Sequence, residues 1–345
     1  MNNYLYRNKI KYVEKEAKYW KKIDEKVQCL LCPHKCIIKE KQRGICGVRE
    51  NREGKLFTLI YASCSSCYPD PIEKKPLFHF YPNSLVYSLG TVGCNFKCLH
   101  CQNYTISQAK PEEYLLYDIL PIEAVERAKK CCSGIAFTYN EPTIWWEYAY
   151  DTAKIAKKEN LYSVFVTNGY INEEPLEEIA RYLDAVNIDV KSMSNEFYKE
   201  ICKANVEPVL QACKLYKEKG LHVEMTYLVI PTKNDDIEEI KRFCKWVLEE
   251  FGEEQVIHFT AFYPHYKMEY LPPTPFKKLL EIYNIAKREG LYYVYLGNVP
   301  HGDYENTYCP NCGNLLIERF GFSAEIKGLK GNECKKCKAK IPVII

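Results

Sequence analysis

Short apolar segments alternate with longer amphipathic segments from residue 85 onward, and this alternation predicts the main fold. Each apolar segment has the length and the Val, Ile, Tyr and Phe content of a buried strand. Strands that alternate with helices predict an α/β fold with a parallel sheet, either a barrel or a doubly wound sheet. The predicted strands are Leu85–Leu89, Gly134–Thr138, Ser163–Thr167, Ala185–Val190, His222–Val229, Val256–Phe262 and Tyr292–Leu296.

The amphipathic segments between these strands predict helices, because their apolar residues recur at helical spacing. These helices are Ile122–Cys132, Thr143–Lys158, Glu174–Tyr182, Glu207–Lys219, Asp235–Phe251 and Phe276–Arg288. A further charged amphipathic helix is predicted for Tyr4–Lys26. We expect three units: a helix and Cys-rich metal-binding region over residues 1–80, an α/β core over 81–303, and a zinc-ribbon-like module over 304–345.

The balance of charge argues against a nucleic-acid partner and against a membrane partner. The chain of 345 residues has 48 Lys and Arg, 45 Asp and Glu, and a net charge of +3, with both signs interspersed. Its apolar segments are all shorter than the roughly 18 residues that a membrane-spanning helix needs. Most of the 18 cysteines fall in close pairs, which in a chain of this length indicate metal sites and not disulfides. We therefore expect a cytoplasmic protein.

Three cysteines lie within eight residues in the segment GTVGCNFKCLHCQN, directly after the first predicted strand. The C-x-x-x-C-x-x-C spacing of Cys94, Cys98 and Cys101 brings three thiolates to one face of a loop. Soft sulfur ligands suit an iron-sulfur cluster, and three of them on a four-iron cluster leave one iron open for a substrate or cofactor. Half of a zinc site and three buried apolar cysteines remain the alternative interpretations.

A second group of four cysteines precedes this loop. Four thiolates close a zinc site or saturate a second four-iron cluster, and their spacing does not separate the two. Cys64 and Cys67 form a further C-x-x-C pair, which joins this site, replaces some of its members or remains a buried or redox-active thiol pair. The four predicted ligands are Cys29, Cys32, Cys36 and Cys46.

A third group consists of two C-x-x-C pairs in ENTYCPNCG and NECKKCK. The distance between the pairs is typical of a zinc ribbon, in which four thiolates hold the metal. Such a module either recognises a partner or only holds together an appendage that is too short to fold without zinc. The predicted zinc ligands are Cys309, Cys312, Cys334 and Cys337.

Polar residues follow several predicted strands at their C-terminal ends, where α/β barrels place their chemistry. TYNEPT follows the second strand, TNGY follows the third, and DVKS ends the fourth. Side chains alternate along a strand, so Asp189 and Lys191 should lie on the same face. The candidate binding residues at the strand ends are Tyr139, Asn140, Glu141, Asn168, Asp189, Lys191, His265, Asn298 and His301.

At the C-x-x-x-C-x-x-C loop the sequence resembles the radical S-adenosylmethionine (SAM) superfamily, whose shared signature is this spacing. Its strand-end motifs resemble those of the pyruvate formate-lyase activating enzyme group. The motifs CPHKC, GICGVREN, DPIEKKPLFHF, CQNYTISQ and ENTYCPNCG, in this order, resemble the radical SAM member of the AmmeMemoRadiSam system. The resemblance implies a partial (β/α)6 TIM-like radical SAM barrel with small Cys-rich N-terminal and C-terminal metal-binding appendages.

The resemblance also implies cofactors: a [4Fe-4S] cluster on the three-cysteine loop and SAM on its open iron. In the activating enzymes one segment touches the SAM amino group, and Tyr139–Glu141 matches it, with Asn140 in place of a glycine. An Asp-x-Lys pair by the methionine carboxylate and ribose is matched by Asp189 and Lys191. A histidine that contacts the methionyl or ribosyl part is matched by His265.

The activity implied by the resemblance is reductive cleavage of SAM at the cluster. The products are methionine and a 5′-deoxyadenosyl radical, which abstracts hydrogen from an unknown substrate. The resemblance also implies an oxidoreductase-type enzyme with an electron donor such as ferredoxin or flavodoxin. The substrate is a glycine of a partner protein, as for glycyl-radical enzyme activases, or a small metabolite. The alternative class is a non-catalytic multi-metal redox or scaffold protein.

Overall fold

A mixed eight-stranded sheet forms the centre of the computed structural model, which describes residues 15–299 and 302–345. Seven of the eight strands run parallel and follow one another across the sheet in chain order. Every end lies within one residue of its predicted position, so the strand prediction is confirmed. The parallel strands are β1 (Leu85–Gly90), β2 (Gly134–Phe137), β3 (Tyr162–Thr167), β4 (Ala185–Asp189), β5 (His222–Val229), β6 (Val256–Ala261) and β7 (Tyr293–Gly297).

The sheet has two open edges. Ser66–Pro71 pairs antiparallel with β1 and forms one edge, while β7 forms the other. Among the described residues no sheet closes on itself, so the predicted partial barrel is not confirmed beyond its parallel α/β core. Parallel strands in chain order bring their C-terminal ends to one side, which we call the strand-end rim.

One helix lies between each pair of consecutive parallel strands, as the sequence predicts. Helix α5 begins after Asp236, whose side chain accepts hydrogen bonds from the amides of Glu238 and Glu239 and caps the helix. None of the described helices is long and apolar enough to span a membrane. The six helices are α1 (Pro121–Lys129), α2 (Trp146–Lys158), α3 (Glu173–Ala180), α4 (Glu207–Glu218), α5 (Ile237–Phe251) and α6 (Phe276–Glu289).

Strands, and not a helix, begin the described chain. Trp20–Ile23 forms an antiparallel hairpin with Lys26–Cys29, and Asp24 takes a positive φ of 51° in the turn between them. The predicted helix Tyr4–Lys26 is therefore wrong over its described part, and residues 1–14 lie outside the described residues. Cross-strand pairing determines this segment, because an α-helix excludes a positive φ and paired strands do not depend on helical spacing.

Shorter elements complete the described chain. Single helical turns are Ile72–Lys74, Tyr104–Ser107, Pro111–Glu113, Pro142–Trp145, Asn195–Phe197, the π-helical Tyr198–Cys202, Tyr266–Met268 and Gly302–Glu305. The short N-terminal strands also include Lys15–Glu16, Ile37–Ile38, Arg49–Arg52, Lys55–Thr58, Ser63–Cys64 and Tyr117–Asp118. The C-terminal module contains Thr307–Tyr308, Leu315–Phe320, Ser323–Ile326, Leu329–Lys330 and Glu333–Cys334.

A buried carboxylate joins β5 to the segment before β1. The two oxygens of Glu224, which is fully buried, accept hydrogen bonds from the amides of Phe78 and His79 at 2.9 and 2.7 Å. The Nε2 atoms of His222 and His258 lie 2.9 and 2.6 Å from the same carboxylate. Burial alone would raise the pKa of Glu224, but these hydrogen bonds hold it well below the usual range.

The same segment holds the C-terminal module. Arg319 of the module donates to the Phe78 carbonyl at 2.6 Å, and its guanidinium lies 4.2 Å from the centre of the Phe78 ring. His79 Nε2 lies 2.6 Å from the Tyr295 hydroxyl of β7, and the amide of Ile344 donates to the His79 carbonyl. The module therefore packs against the sheet through a polar network centred on residues 78–79.

We expect Glu224→Gln to destabilise the fold by about 3–5 kcal/mol at pH 7, because it removes a buried charge whose partners stay buried. A carboxyl whose pKa is lowered by folding contributes stability above its ordinary pKa, and that contribution falls as the pH drops through the folded value. The deficit should therefore shrink below about pH 4. Chemical denaturation at several pH values measures it. Glu249→Gln, on the exposed face of α5, is the matched control, and equal stability of both variants would contradict the prediction.

Candidate metal centres and cofactor site

The three-cysteine loop follows β1 directly at the strand-end rim. We call residues 91–102 the cluster loop. Gly93 takes a φ of +88°, and a Cβ at this position would lie 2.7 Å from the carbonyl oxygen of Cys46. Because any larger residue meets backbone there, glycine is required for the loop to lie against the N-terminal region.

The thiols of the cluster loop are largely buried and lie beside polar groups. The amide of Phe96 donates to Cys94 Sγ at 3.3 Å, and the hydroxyl of Ser107 lies 3.1 Å from Cys101 Sγ. Burial raises the pKa of both thiols. An iron ion would reverse that shift, because a coordinated thiol is deprotonated.

Two amide side chains from the next strands support this loop. Asn140, after β2, accepts from the amide of Thr91 at 3.1 Å and donates to the carbonyl of Gly93 at 2.9 Å. Asn168, after β3, donates to Asn95 Oδ1 at 2.9 Å, and its Nδ2 lies 3.8 Å from Cys94 Sγ. The predicted rim residues therefore lie at the cluster loop and determine its conformation.

Glu141 is a buried residue that links the ends of β2 and β3. Its carboxylate accepts hydrogen bonds from the backbone amides of Thr143 and Asn168 at 2.9 and 2.8 Å, and from the hydroxyl of Thr167 at 2.7 Å. Burial raises its pKa, although these hydrogen bonds oppose the rise. With only 1% of its surface exposed, the carboxylate orders the ends of β2 and β3.

Asp189 and Lys191 form the predicted pair at the end of β4. Lys191 Nζ lies 3.0 Å from Asp189 Oδ2, and the lysine side chain is 12% exposed, against 39% for the aspartate. The pKa of the Cys98 thiol is raised by a hydrogen bond with Cys202 and by burial, and the positive charge of Lys191 opposes that rise. The pair thus presents one buried cation and one accessible carboxylate beside the cluster loop.

Cys202, which sequence reasoning missed, lies at the same place. It is fully buried in the π-helical turn Tyr198–Cys202. A hydrogen bond with Cys202 is the largest cause that raises the pKa of the Cys98 thiol, and burial is the second. The amide of Lys97 also donates to the Cys202 carbonyl at 2.9 Å. Nothing in the spacing of the chain connects a lone cysteine after β4 with a loop after β1, so only the fold reveals it.

The remaining rim residues lie at two further places. His265 is exposed after β6, and two residues later Lys267 donates its amide to the Leu99 carbonyl at 3.0 Å, so this segment contacts the cluster loop. Tyr139 donates its hydroxyl to Asp70, and its carbonyl accepts from the side-chain amide of Asn103 at 2.7 Å, directly after the cluster loop. Asn298 donates to the Ala261 carbonyl at 3.1 Å between β6 and β7. His301 lies outside the described residues.

The donor set of the cluster loop fits an iron-sulfur cluster. Three thiols converge from a tight loop, and the ring of His100, 4% exposed, carries a buried Nδ1 without a hydrogen-bond partner. Burial lowers the pKa of His100 to about 3, so this ring is neutral. A cluster sulfide or thiolate would supply the missing partner for Nδ1. Cys94, Cys98 and Cys101 would therefore hold the cluster.

The four N-terminal cysteines, which we call the N-terminal cysteine set, line one cavity. Its empty volume, counted out to its open mouth, is about 320 Å³. Burial raises the pKa of Cys32, and the nearby thiols Cys29, Cys46 and Cys36 add to the rise. Cys64 and Cys67 do not belong to this lining: Cys64 contacts the Tyr148 hydroxyl, and Cys67 pairs with β1.

The four C-terminal cysteines, the C-terminal cysteine set, are compact. Their sulfur atoms all lie within 4.8 Å of one another. Cys309 and Cys337 are 3.5 Å apart, and Cys312 and Cys334 are 3.7 Å apart. Sulfurs bound to one zinc at 2.3 Å stand roughly 3.8 Å apart, so this arrangement fits tetrahedral zinc.

The comparisons with known sequences agree with the site. The family model of the radical SAM superfamily matches residues 88–244, from β1 into α5. The uncharacterized protein MJ0808 of Methanocaldococcus jannaschii is 49% identical over 335 residues, which cover 96% of this chain and 100% of that protein. Pyruvate formate-lyase 1-activating enzyme of Escherichia coli K12 is 25% identical over 155 residues, which cover 44% of this chain and 63% of that enzyme.

A solved structure is also similar. The crystal structure of a domain of pyruvate-formate lyase-activating enzyme from Bacteroides vulgatus superposes with a TM-score of 0.43 and 18% identity. The superposition covers 48% of this chain and 99% of that domain.

Proposed function

We propose that the chain is a radical SAM enzyme related to glycyl-radical enzyme activases, and that it cleaves SAM reductively; the superfamily model that matches residues 88–244 and the similarity to activating enzymes support this. The proposed cofactors are a [4Fe-4S] cluster on Cys94, Cys98 and Cys101, and SAM on the iron that these thiols leave open. The observation that carries the proposal is the convergence on the cluster loop of polar side chains that follow β2 and β3, and of the segment after β4, whose carbonyls at Ile201 and Cys202 accept from amides of the loop.

When bound, the cluster and SAM together supply a one-electron cleavage that starts radical chemistry on a substrate. The chain's own residues would position them. Lys191 and Asp189 offer a cation and a carboxylate at hydrogen-bond distance from each other, which suit the carboxylate and the ribose hydroxyls of SAM. Asn140 and Glu141 hold the loop and the strand ends in place by hydrogen bonds, which would fix the three thiols relative to the bound SAM. His265, exposed on the neighbouring segment, would contact the methionyl or ribosyl part.

Formation of 5′-deoxyadenosine tests this function. The protein is reconstituted with iron and sulfide, reduced with dithionite without oxygen, and incubated with SAM. We expect 5′-deoxyadenosine and methionine in equal amounts by mass spectrometry. If a fully loaded and reduced cluster bound SAM but gave no 5′-deoxyadenosine with any substrate, a non-catalytic redox or scaffold role would replace the proposal.

We expect Lys191→Met to weaken SAM binding by about 10- to 100-fold without changing the iron content. The substitution keeps the buried stem and removes a charged hydrogen bond worth about 1.5–3 kcal/mol. Equilibrium dialysis of labelled SAM against the reconstituted protein measures the effect. Lys158→Met, at the exposed C-terminal end of α2, is the matched control. Unchanged SAM affinity in Lys191→Met would remove this lysine from the proposed site.

A second candidate function is activation of a partner protein. An open groove with an empty volume of about 540 Å³, counted into solvent, lies beside the cluster loop and is lined by residues that include Ser66, Asn103, Tyr114 and Tyr139. An open groove suits a polypeptide segment better than a small metabolite, which enzymes usually enclose. Incubation with a protein that carries a glycyl-radical loop should then give a glycine-centred electron paramagnetic resonance (EPR) doublet. Cleavage of SAM without that doublet would favour a small substrate.

The remaining proposals concern the surroundings of this site. We propose zinc in the C-terminal cysteine set, a ferredoxin or flavodoxin as electron donor, and membership in the AmmeMemoRadiSam system on the strength of the motifs along the whole chain. The cytoplasm is the proposed location, because reduced thiols and oxygen-sensitive clusters need a reducing compartment. The three units at residues 1–80, 81–303 and 304–345 remain the proposed domain division.

A further inference from the structure

The N-terminal cysteine set surrounds a common cavity, but its thiols are not spaced like zinc ligands. Zinc draws four sulfurs to about 3.8 Å from one another, and the C-terminal cysteine set shows this spacing. Within residues 15–299 and 302–345, that set is the one group of three or more such ligand atoms lying within 4.8 Å of one another. The N-terminal thiols therefore converge without reaching the compactness that zinc requires.

The cluster loop provides the matching comparison. Its three thiols also fall outside that 4.8 Å group, although the same loop is the proposed site of a four-iron cluster. In a four-iron cluster each thiolate binds a different iron, so the sulfurs stand farther apart than they do around one zinc. The described chain thus contains one compact thiol set and two wide ones, and the N-terminal cysteine set is of the wide kind.

Arg49 is a second, independent indication of a ligand in the cavity. Arg49 is 1% exposed and lines the cavity, and its Nε has no hydrogen-bond partner. Its two terminal nitrogens are held by Glu147 at 2.6 Å and by the Lys18 carbonyl at 3.2 Å, so the guanidinium is fixed. A buried N–H donor without a partner is rare in folded proteins. Sulfide or thiolate sulfur in the cavity would accept its hydrogen bond.

We propose that the N-terminal cysteine set holds a second [4Fe-4S] cluster, saturated by four thiolates, which passes single electrons to the cluster on the cluster loop. The two sites share a wall. The carbonyl of Asn95, next to Cys94, lies 2.8 Å from His34 Nε2, and Asn95 also lines the N-terminal cavity. Gly93, on the other side of Cys94, lies so close to Cys46 that a Cβ at this position would stand 2.7 Å from the Cys46 carbonyl oxygen.

The electron balance of this relay is simple. A one-electron donor protein of the ferredoxin or flavodoxin type loses one electron, and the second cluster changes from the 2+ to the 1+ state. It returns to 2+ when the electron moves to the first cluster, which then becomes 1+. A saturated cluster has no open iron for SAM, so electron transfer is the role that its coordination permits. The relay rests on the proposed function, whereas the second metal site does not.

Metal analysis of three proteins tests the site. We expect about eight irons and about one zinc per wild-type chain after anaerobic reconstitution. The variant Cys94→Ala/Cys98→Ala/Cys101→Ala should keep about four irons with their EPR signal, and Cys36→Ser/Cys46→Ser, at two half-buried positions, should also keep about four. The first variant alone tests whether the N-terminal cysteine set holds a cluster, even if the second variant fails to fold. About four irons with about two zincs in the wild type, or no iron in the first variant, would overturn the second cluster.

EPR of the fully reduced wild type tests the relay. Two paramagnetic clusters that share a wall should interact, so the wild-type spectrum should be broadened and differ from the sum of the two variant spectra. An unbroadened sum would overturn the relay. A different result would separate the two proposals: if the cluster-loop variant kept all the wild-type iron, the proposed function would fail while the second site stood.

Discussion

Cys98→Ala is expected to reduce 5′-deoxyadenosine formation to the level of a control without protein. Cys98 is 7% exposed in the cluster loop, and its thiol would supply one of only three protein ligands to the proposed cluster. Two thiolates do not hold four irons against loss to solvent and oxygen. Because the open iron is the proposed binding point of SAM, loss of the cluster removes the cofactor site as well. Mass spectrometry of reduced, reconstituted variant and wild type gives the comparison.

The control for this variant is Cys244→Ala, which removes a fully buried thiol from the apolar face of α5. It makes the same chemical change in the core and should cost about 1 kcal/mol of stability without affecting SAM cleavage. If Cys98→Ala kept both the iron and the SAM cleavage of the wild type, the assignment of the cluster loop would be wrong.

Cys309→Ser/Cys312→Ser is expected to lose about one zinc per chain and to unfold the C-terminal module. Zinc contributes about 10–16 kcal/mol of apparent binding energy to small structural sites, which exceeds the stability of a short appendage. Leu316 and Ile317 of this module are fully buried, so its unfolding exposes core residues. Limited proteolysis followed by mass spectrometry should show the first cleavages within residues 302–345.

A second close thiol pair provides the matched control. The sulfur atoms of Cys131 and Cys132 lie 3.4 Å apart, shortly after the end of α1, and Cys131 is exposed. Neither residue belongs to the C-terminal cysteine set. Cys131→Ser/Cys132→Ser should keep the zinc and the protease resistance of the wild type. A C-terminal variant that kept its zinc, or that lost zinc and remained protease-resistant, would contradict a structural zinc site.

The pattern of apolar segments predicts the seven parallel strands well, because strands of a parallel sheet are buried on both faces and appear as continuous apolar runs. Tyr293, for example, is nearly fully buried in β7, close to where the sequence places that strand. The pattern fails for Trp20–Ile23, where a short hairpin carries charged residues at spacings that also fit a helix. Pairing with a distant segment decides such a case, and pairing is not visible in local periodicity.

In the candidate site, too, the sequence predicts some residues, and only the fold reveals others. Spacing alone predicts the C-terminal cysteine set, since both pairs lie on tight turns that bring the thiols together. The strand-end pattern predicts that Asn140 and Asn168 lie at the rim. It does not predict that Asn140 binds the backbone of the cluster loop or that Asn168 lies beside Cys94. Cys202 and the unpaired Nε of Arg49 depend on contacts between distant segments, so only the folded chain reveals them.

The central claim is that three thiols hold a cluster whose fourth iron binds SAM. The most direct measurement is electron-nuclear double resonance on the reduced cluster with SAM that carries ¹⁵N in its amino group, using Cys36→Ser/Cys46→Ser, the variant that keeps the cluster-loop thiols but lacks two of the four N-terminal thiols. The account predicts a hyperfine coupling that changes between ¹⁴N and ¹⁵N, because the amino group is bound to iron. A bound SAM without any such coupling to the cluster would contradict it.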